Sequence, residues 1–310
     1  MPKQRNLAID RFRGFTVILM VIVNDLGPVH GFPSILGHAP DEGGIGLADL
    51  VSKFFIFAIA TTYLMSFNSR LAASGSRWKT YFHFVSRYLA IMGLGALFGA
   101  FMAEIEGGPV WGTLHTIGLA GLLTLLVIRL PWWGRAASGM AVLAAYQLVY
   151  QFANGAIAGE IGAVIKALTM TGALMLSTAV VDLFNKGRKP FLIALGVLTL
   201  AAFGPLLLPG AYITKENQIT FILICVTIAA AVFFIFDLVS KKVKPTQPGL
   251  LCWWGENPML LYVLHLMLIG ASQAIHPRPM AIAIPINIAI LTALSLIAWG
   301  MHRKKFQISF

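Results

Sequence analysis

The stretch IDRFRGFTVILMVIVND, Ile9–Asp25, decides how the rest of the chain is read. It opens with Asp10, Arg11 and Arg13, crosses an apolar segment, and closes on Asn24 and Asp25. A basic start before an apolar run suggests a secretory signal. Here the charges run straight into the apolar segment and no small-residue cleavage site follows, so the segment reads as a retained first membrane helix. Asp10 and Arg13 are three apart and share a helix face. The plain reading of this end is a topology anchor with a local ion pair; the sharper one has Arg11 or Arg13 meeting a phosphate on the cytoplasmic side. Asn24 and Asp25 read most simply as a polar cap at the outer interface.

Composition extends this reading to the whole protein. The 310 residues are 58% hydrophobic and 11% charged, with a mean hydropathy of +0.80. A soluble domain is about 45–50% apolar and about 25% charged. The fold class is therefore all-α: a polytopic integral membrane protein, one domain over 1–310, multi-pass in the cell membrane. A span takes roughly 20 apolar residues, which leaves room for about ten helices and no soluble domain. Apolar runs place them at Ile9–Val29, Gly46–Phe67, Tyr81–Ala103, Thr113–Leu130, Ala137–Phe152, Ile161–Phe184, Phe191–Leu208, Gln218–Leu238, Pro258–Ala274 and Met280–Met301. Trp132, Trp133, Trp253 and Trp254 sit at loop edges, as interfacial anchors do. Cys225 and Cys252 form no disulfide framework and read as reduced.

Charge sets the orientation. With the N-terminus inside, nineteen of the twenty-three Lys and Arg residues fall on one side; the exceptions are Lys53, Lys166, Lys215 and Arg278. Such a bias places both termini in the cytoplasm. It also accounts for the net charge of +11 through lipid headgroups and topology rather than nucleic acid. Asp25, Asp41, Glu42, Asp49, Glu104, Glu106, Glu160 and Glu216 lie on or near the outer side.

Ionisable groups at membrane depth are costly and mark function. The outer loop HAPDEGGIGLADL, His38–Leu50, holds one histidine, three glycines and Asp49 at the start of helix 2. A loop histidine is ordinarily just solvated, but an aspartate beside it fixes its tautomer and raises its basicity, as acyl transfer requires. His115, near the outer end of helix 4, is by itself more often structural. In WWGENPMLLYVLHLML, Trp253–Leu268, Pro258 suits a first helical turn, and His265, two turns in, needs a partner inside the membrane. The basic and aromatic segment Lys241–Trp254 suits lipid or a soluble anionic cofactor. No two histidines share a helical ligand spacing and no Cys–His cluster exists, so no metal is expected.

Together these stretches resemble the transmembrane acyltransferases typified by heparan-α-glucosaminide N-acetyltransferase. The Asp-x-x-Arg-Gly helix ending in Val-Asn appears as Asp10, Arg13, Gly14 and Val23-Asn24. The loop histidine and a Gly-Leu followed by an Asp-Leu, then an aromatic helix with a far serine, appear as His38, Gly46-Leu47, Asp49-Leu50, Phe54–Phe57 and Ser66. The later patterns appear as Gly112, Leu114, His115 and Ile117, and as Gly255, Asn257, Pro258, Tyr262 and Val263. The chain departs from the family where Asp41 and Glu42 replace a loop Trp, where Ser52-Lys53 replaces Phe-Pro, and where Ala60 replaces a glycine. It thus resembles a divergent branch, with His30 an outside candidate for the catalytic histidine.

The resemblance implies an acetyltransferase that uses cytoplasmic acetyl-CoA and an amino or hydroxyl group of an extracytoplasmic sugar, among membrane lipids, and is compatible with a homodimer. It implies His38 as the catalytic base or acetyl carrier, Asn24 as its support and Asp49 as its orienting acid. Arg11, Arg13 and Arg87 would hold the nucleotide end, with His115, Asn257 and His265 as further donor contacts. Two other readings stay open. One is the acyltransferase-3 group, which usually carries its histidine where this chain has Asn24. The other is a secondary transporter, which paired interrupted helices would mark.

Overall fold

The computed structural model describes residues 6–39, 44–106, 111–152, 159–208, 218–242, 249–273 and 278–307, and every regular element among these is helical, with no strand. The helices are α1 (Leu7–Leu26), α2 (Leu47–Ser74), α3 (Arg77–Glu106), α4 (Thr113–Val127), α5 (Trp132–Phe152), α6 (Gly159–Lys186), α7 (Arg188–Phe203), α8 (Gln218–Ser240), α9 (Leu250–Glu256), α10 (Pro258–Gln273) and α11 (Met280–Arg303). Six of them are long and apolar enough to cross a membrane, within α2, α3, α6, α7 with its 3₁₀ extension, α8 and α11; α4 and α10 are shorter apolar helices. The all-helical, membrane-type character expected from composition is therefore present.

Several boundaries differ from the sequence reading. α5 begins at Trp132 rather than Ala137, because its first turn is built from the tryptophans expected at a loop edge. Residues 204–207 form a 3₁₀ turn at the end of α7. Trp254, expected as an interfacial anchor, is fully buried and donates from Nε1 to Ser295 Oγ at 3.1 Å. It lies on α9, where the sequence suggested a loop.

The chain divides into two compact units, Met1–Ala58 with Ala231–Phe310, and Ile59–Ala230. In the first, α1 is capped by Asn6, whose side-chain oxygen accepts from Ala8 N at 3.0 Å. A Cβ on Gly14 would overlap the Leu251 carbonyl, and one on Gly255 would overlap the Asp10 carbonyl. The two glycines thus let α1 and α9 touch backbone to backbone, the small-residue solution to helix packing in lipid. Phe12 packs at centroid distances of 5.9 Å from Phe57 and 5.6 Å from Phe233. At the α9–α10 junction, Glu256 binds His302 Nδ1 at 3.0 Å and Asn257 Nδ2 donates to the Phe306 carbonyl at 3.0 Å, which ties the end of α11 to this unit.

In the second unit, Gly121 lies against the Tyr88 ring and its carbonyl accepts from Tyr63 Oη at 2.7 Å. α5 and α6 cross where Gly139 and Gly172 face each other; a Cβ on either would stand 2.9 Å from the other's carbonyl oxygen. The same pair is closed by Arg135, which donates to Asp182 at 2.7 Å and to the Thr178 carbonyl at 3.3 Å. Gly187, at φ 136°, makes the one-residue link from α6 to α7.

Candidate functional site

The segment after α1 is folded back on its own ends. Leu26 and Val29 pack on Ala283, with Phe32 and Met280 against them. Further on, Leu47 N donates to the Ile35 carbonyl at 3.0 Å and Ala48 N to the Gly37 carbonyl at 3.2 Å, so the last turn of the loop is laced to the first turn of α2. Gly46 is required there, since a Cβ would overlap the Gly37 carbonyl.

This lacing places Asp49, the third residue of α2, under the loop. Its Oδ2 accepts from Gly46 N and from Ala39 N, each at 3.0 Å. The bond to Gly46 is the reach-back half of a capping box. Its Oδ1 lies 2.7 Å from His38 Nδ1. A carboxylate only accepts, so Nδ1 carries the proton. In the neutral ring Nε2 then holds a lone pair, the state a nucleophile or general base requires. The Asp49 side chain is 5% exposed and that of His38 70%. The acid is fixed and sheltered, while the ring it orients stays open to a reactant.

The last turn of α1 carries a second polar group. Asn24 Nδ2 lies 3.2 Å from His265 Nε2, so the partner His265 needs is Asn24. The neighbouring Asp25 is fully buried. Its carboxylate accepts from Ser272 Oγ at 2.8 Å, Asn287 Nδ2 at 2.8 Å and Arg278 Nη2. Arg278 Nη1 also reaches the Asp25 carbonyl at 3.2 Å. The reading of Asp25 as an interfacial cap is thus replaced by a buried ion pair. The sequence held one signal of it: Arg278 is one of the few cations that break the charge bias, and it stands at an acid-rich end.

The remaining expected residues are dispersed. In the first unit, Arg11 is buried and its Nη1 has no hydrogen-bond partner, whereas Arg13 and Asp10 both have interaction partners. Asn257 is engaged by the tail of α11, as above. In the second unit, Arg87 keeps a buried Nε without a partner. There His115 Nδ1 accepts from Gly112 N at 3.2 Å, and its ring stacks on Trp111 at 4.9 Å, which caps the start of α4. His30 is exposed. Asp41 and Glu42 lie outside the described residues. Among the described residues no group of His, Cys, Asp and Glu is arranged to hold a metal.

Residues 5–185 match the family described as heparan-alpha-glucosaminide N-acetyltransferase, catalytic, which is more than half of the chain. The chain belongs to this family. The heparan-alpha-glucosaminide N-acetyltransferase match takes in Arg11, Arg13, Asn24, His38, Asp49, Arg87 and His115 and ends before Asn257 and His265. No curated protein matches the chain. Membership of this family and the six membrane-length helices together describe a transmembrane acetyltransferase.

Proposed function

We propose that the protein transfers an acetyl group from cytoplasmic acetyl-CoA to an amino or hydroxyl group of an extracytoplasmic sugar, with His38 as the reacting side chain. The observation that carries this reading is the 2.7 Å contact between His38 Nδ1 and Asp49, which leaves Nε2 free to work. In the direct route, Nε2 takes the proton from the acceptor as its nitrogen or oxygen bonds to the thioester carbonyl carbon. The C–S bond then breaks, and the proton on Nε2 passes to the departing thiolate. In the covalent route, Nε2 itself bonds to the acetyl carbon as the C–S bond breaks and CoA leaves as the thiolate; the acceptor then bonds to that carbon as the C–Nε2 bond breaks, and its proton passes to Nε2. Asn24, through its amide N–H, is proposed to support the oxyanion.

For the donor, Arg11 and Arg13, both in the first unit, are proposed to meet phosphate oxygens by charge-assisted bonds. The unpartnered buried nitrogen of Arg11 supports this, because a guanidinium cannot shed its charge. Asn257 and His265, in the same unit, are proposed as neighbours of the uncharged arm.

The test is acetyl transfer by protein reconstituted in vesicles, with labelled acetyl-CoA and an amino-sugar acceptor. His38→Ala should lower turnover by about 10²- to 10⁴-fold. Undiminished turnover in that variant would remove His38 from the mechanism.

A further inference from the structure

We infer that the Asp25–Arg278 ion pair is a positioning device, which fixes the last turn of α1 so that Asn24 keeps its orientation during acetyl transfer. The inference rests on the proposed function and adds two residues to it. Both belong to the first unit, and neither side chain is more than 6% exposed.

The geometry makes Asp25 a hub. Its carboxylate gathers Ser272 from α10, Asn287 from α11 and Arg278 from the segment before α11. Arg278 does a second job as well. The Asp25 carbonyl is among the last four of α1, which have no partner within the helix. Arg278 Nη1 supplies one, and a cation at a helix C-terminus is also favoured by the helix dipole. One guanidinium therefore holds both the side chain and the backbone of the same residue.

A buried pair of this kind is a poor way to gain stability, since apolar residues of similar volume do as well or better. Its attested use is to fix register, and register is what this turn needs. The apolar contacts of Leu26 and Val29 with Ala283 are not directional and allow α1 to rotate or slide. The ion pair allows neither. His265 and Ser272 lie one heptad apart on the buried face of α10. Asn24 and Asp25, adjacent on α1, each bond to one of them. A turn of α1 that breaks the second contact therefore breaks the first.

The experiment compares wild type, Arg278→Lys and the double variant Asp25→Asn with Arg278→Gln, by steady-state acetyl transfer in vesicles and by thermal unfolding. Arg278→Lys keeps the charge but loses the two-pronged grip. Its kcat should fall about tenfold or more through misplacement of Asn24, while KM for acetyl-CoA stays within about twofold, since no donor contact is removed. The double variant removes both charges, so no uncompensated ion remains. It should unfold near the wild-type temperature yet keep the low kcat. Wild-type kcat in Arg278→Lys, or recovery of kcat along with unfolding temperature in the double variant, overturns the inference and leaves the proposed function standing. Wild-type protein that transfers no acetyl group instead removes the proposed function, and this inference with it.

Discussion

At the scale of single residues, Asp49 carries two jobs that a substitution can separate. Its Oδ2 closes the start of α2 and its Oδ1 holds His38. Asp49→Asn keeps the size but puts an amide NH2 where a carboxylate oxygen was, so that an N–H donor stands in place of an acceptor. If that N–H meets His38 Nδ1, the ring is pushed into the tautomer with its proton on Nε2, which cannot take another. Acetyl transfer should fall by roughly 10²- to 10⁴-fold, as expected when an orienting carboxylate is lost. The unfolding free energy should drop by only about 1 kcal/mol, the scale of one helix cap. Turnover assays beside thermal unfolding of the same preparation check both; a variant with wild-type turnover would leave Asp49 as a cap alone. This pair was legible in the sequence because its members stand eleven residues apart with glycines between. The Asp25–Arg278 pair was not, because 253 residues separate its members and nothing local in α1 calls for a distant arginine.

At the scale of elements, the close approaches are set by glycines, and these give sharp expectations. A methyl group on Gly46 must displace the Gly37 carbonyl and with it the strand of backbone that carries His38. Gly46→Ala should therefore reduce acetyl transfer by about tenfold or more, through misplacement of the ring. Donor affinity, measured by calorimetry, should stay unchanged. Gly255→Ala acts elsewhere. Its Cβ meets the Asp10 carbonyl of α1, backbone that cannot swing aside. Overpacking of this kind costs about 1–3 kcal/mol, so the expected outcome is a lower unfolding temperature; an unchanged one would mean α9 can slide off α1 freely. The apolar periods and lengths of the long helices were readable directly. α9 was not, since seven residues between a basic segment and Pro258 have no span-length signal. Its helical state comes from the backbone contact that Gly14 and Gly255 permit and from the burial of Trp254.

At the scale of the whole molecule, the orientation of the chain decides whether the proposed chemistry is feasible. On the proposed function, His38 must face the acceptor and the arginines proposed to meet phosphate must face the cytoplasm, because the charged end of acetyl-CoA does not enter hydrocarbon cheaply. The charge bias of the sequence predicts that arrangement: residues after α1 outside, and the end of α11 inside. Ser34 and Lys304 are both exposed and lie at these two places. In a background with Cys225 and Cys252 replaced, Ser34→Cys should react with a membrane-impermeant thiol reagent on intact cells. Lys304→Cys should react only after the cells are permeabilised. The opposite pattern would place His38 on the same side as the donor's phosphates. Acetyl transfer across the membrane would then fail as a description of this protein, even if His38 and Asp49 still proved essential. Labelling of Ser34→Cys from outside, together with loss of transfer in His38→Ala, would link the local geometry of the loop to a reaction that has its donor on one face and its acceptor on the other.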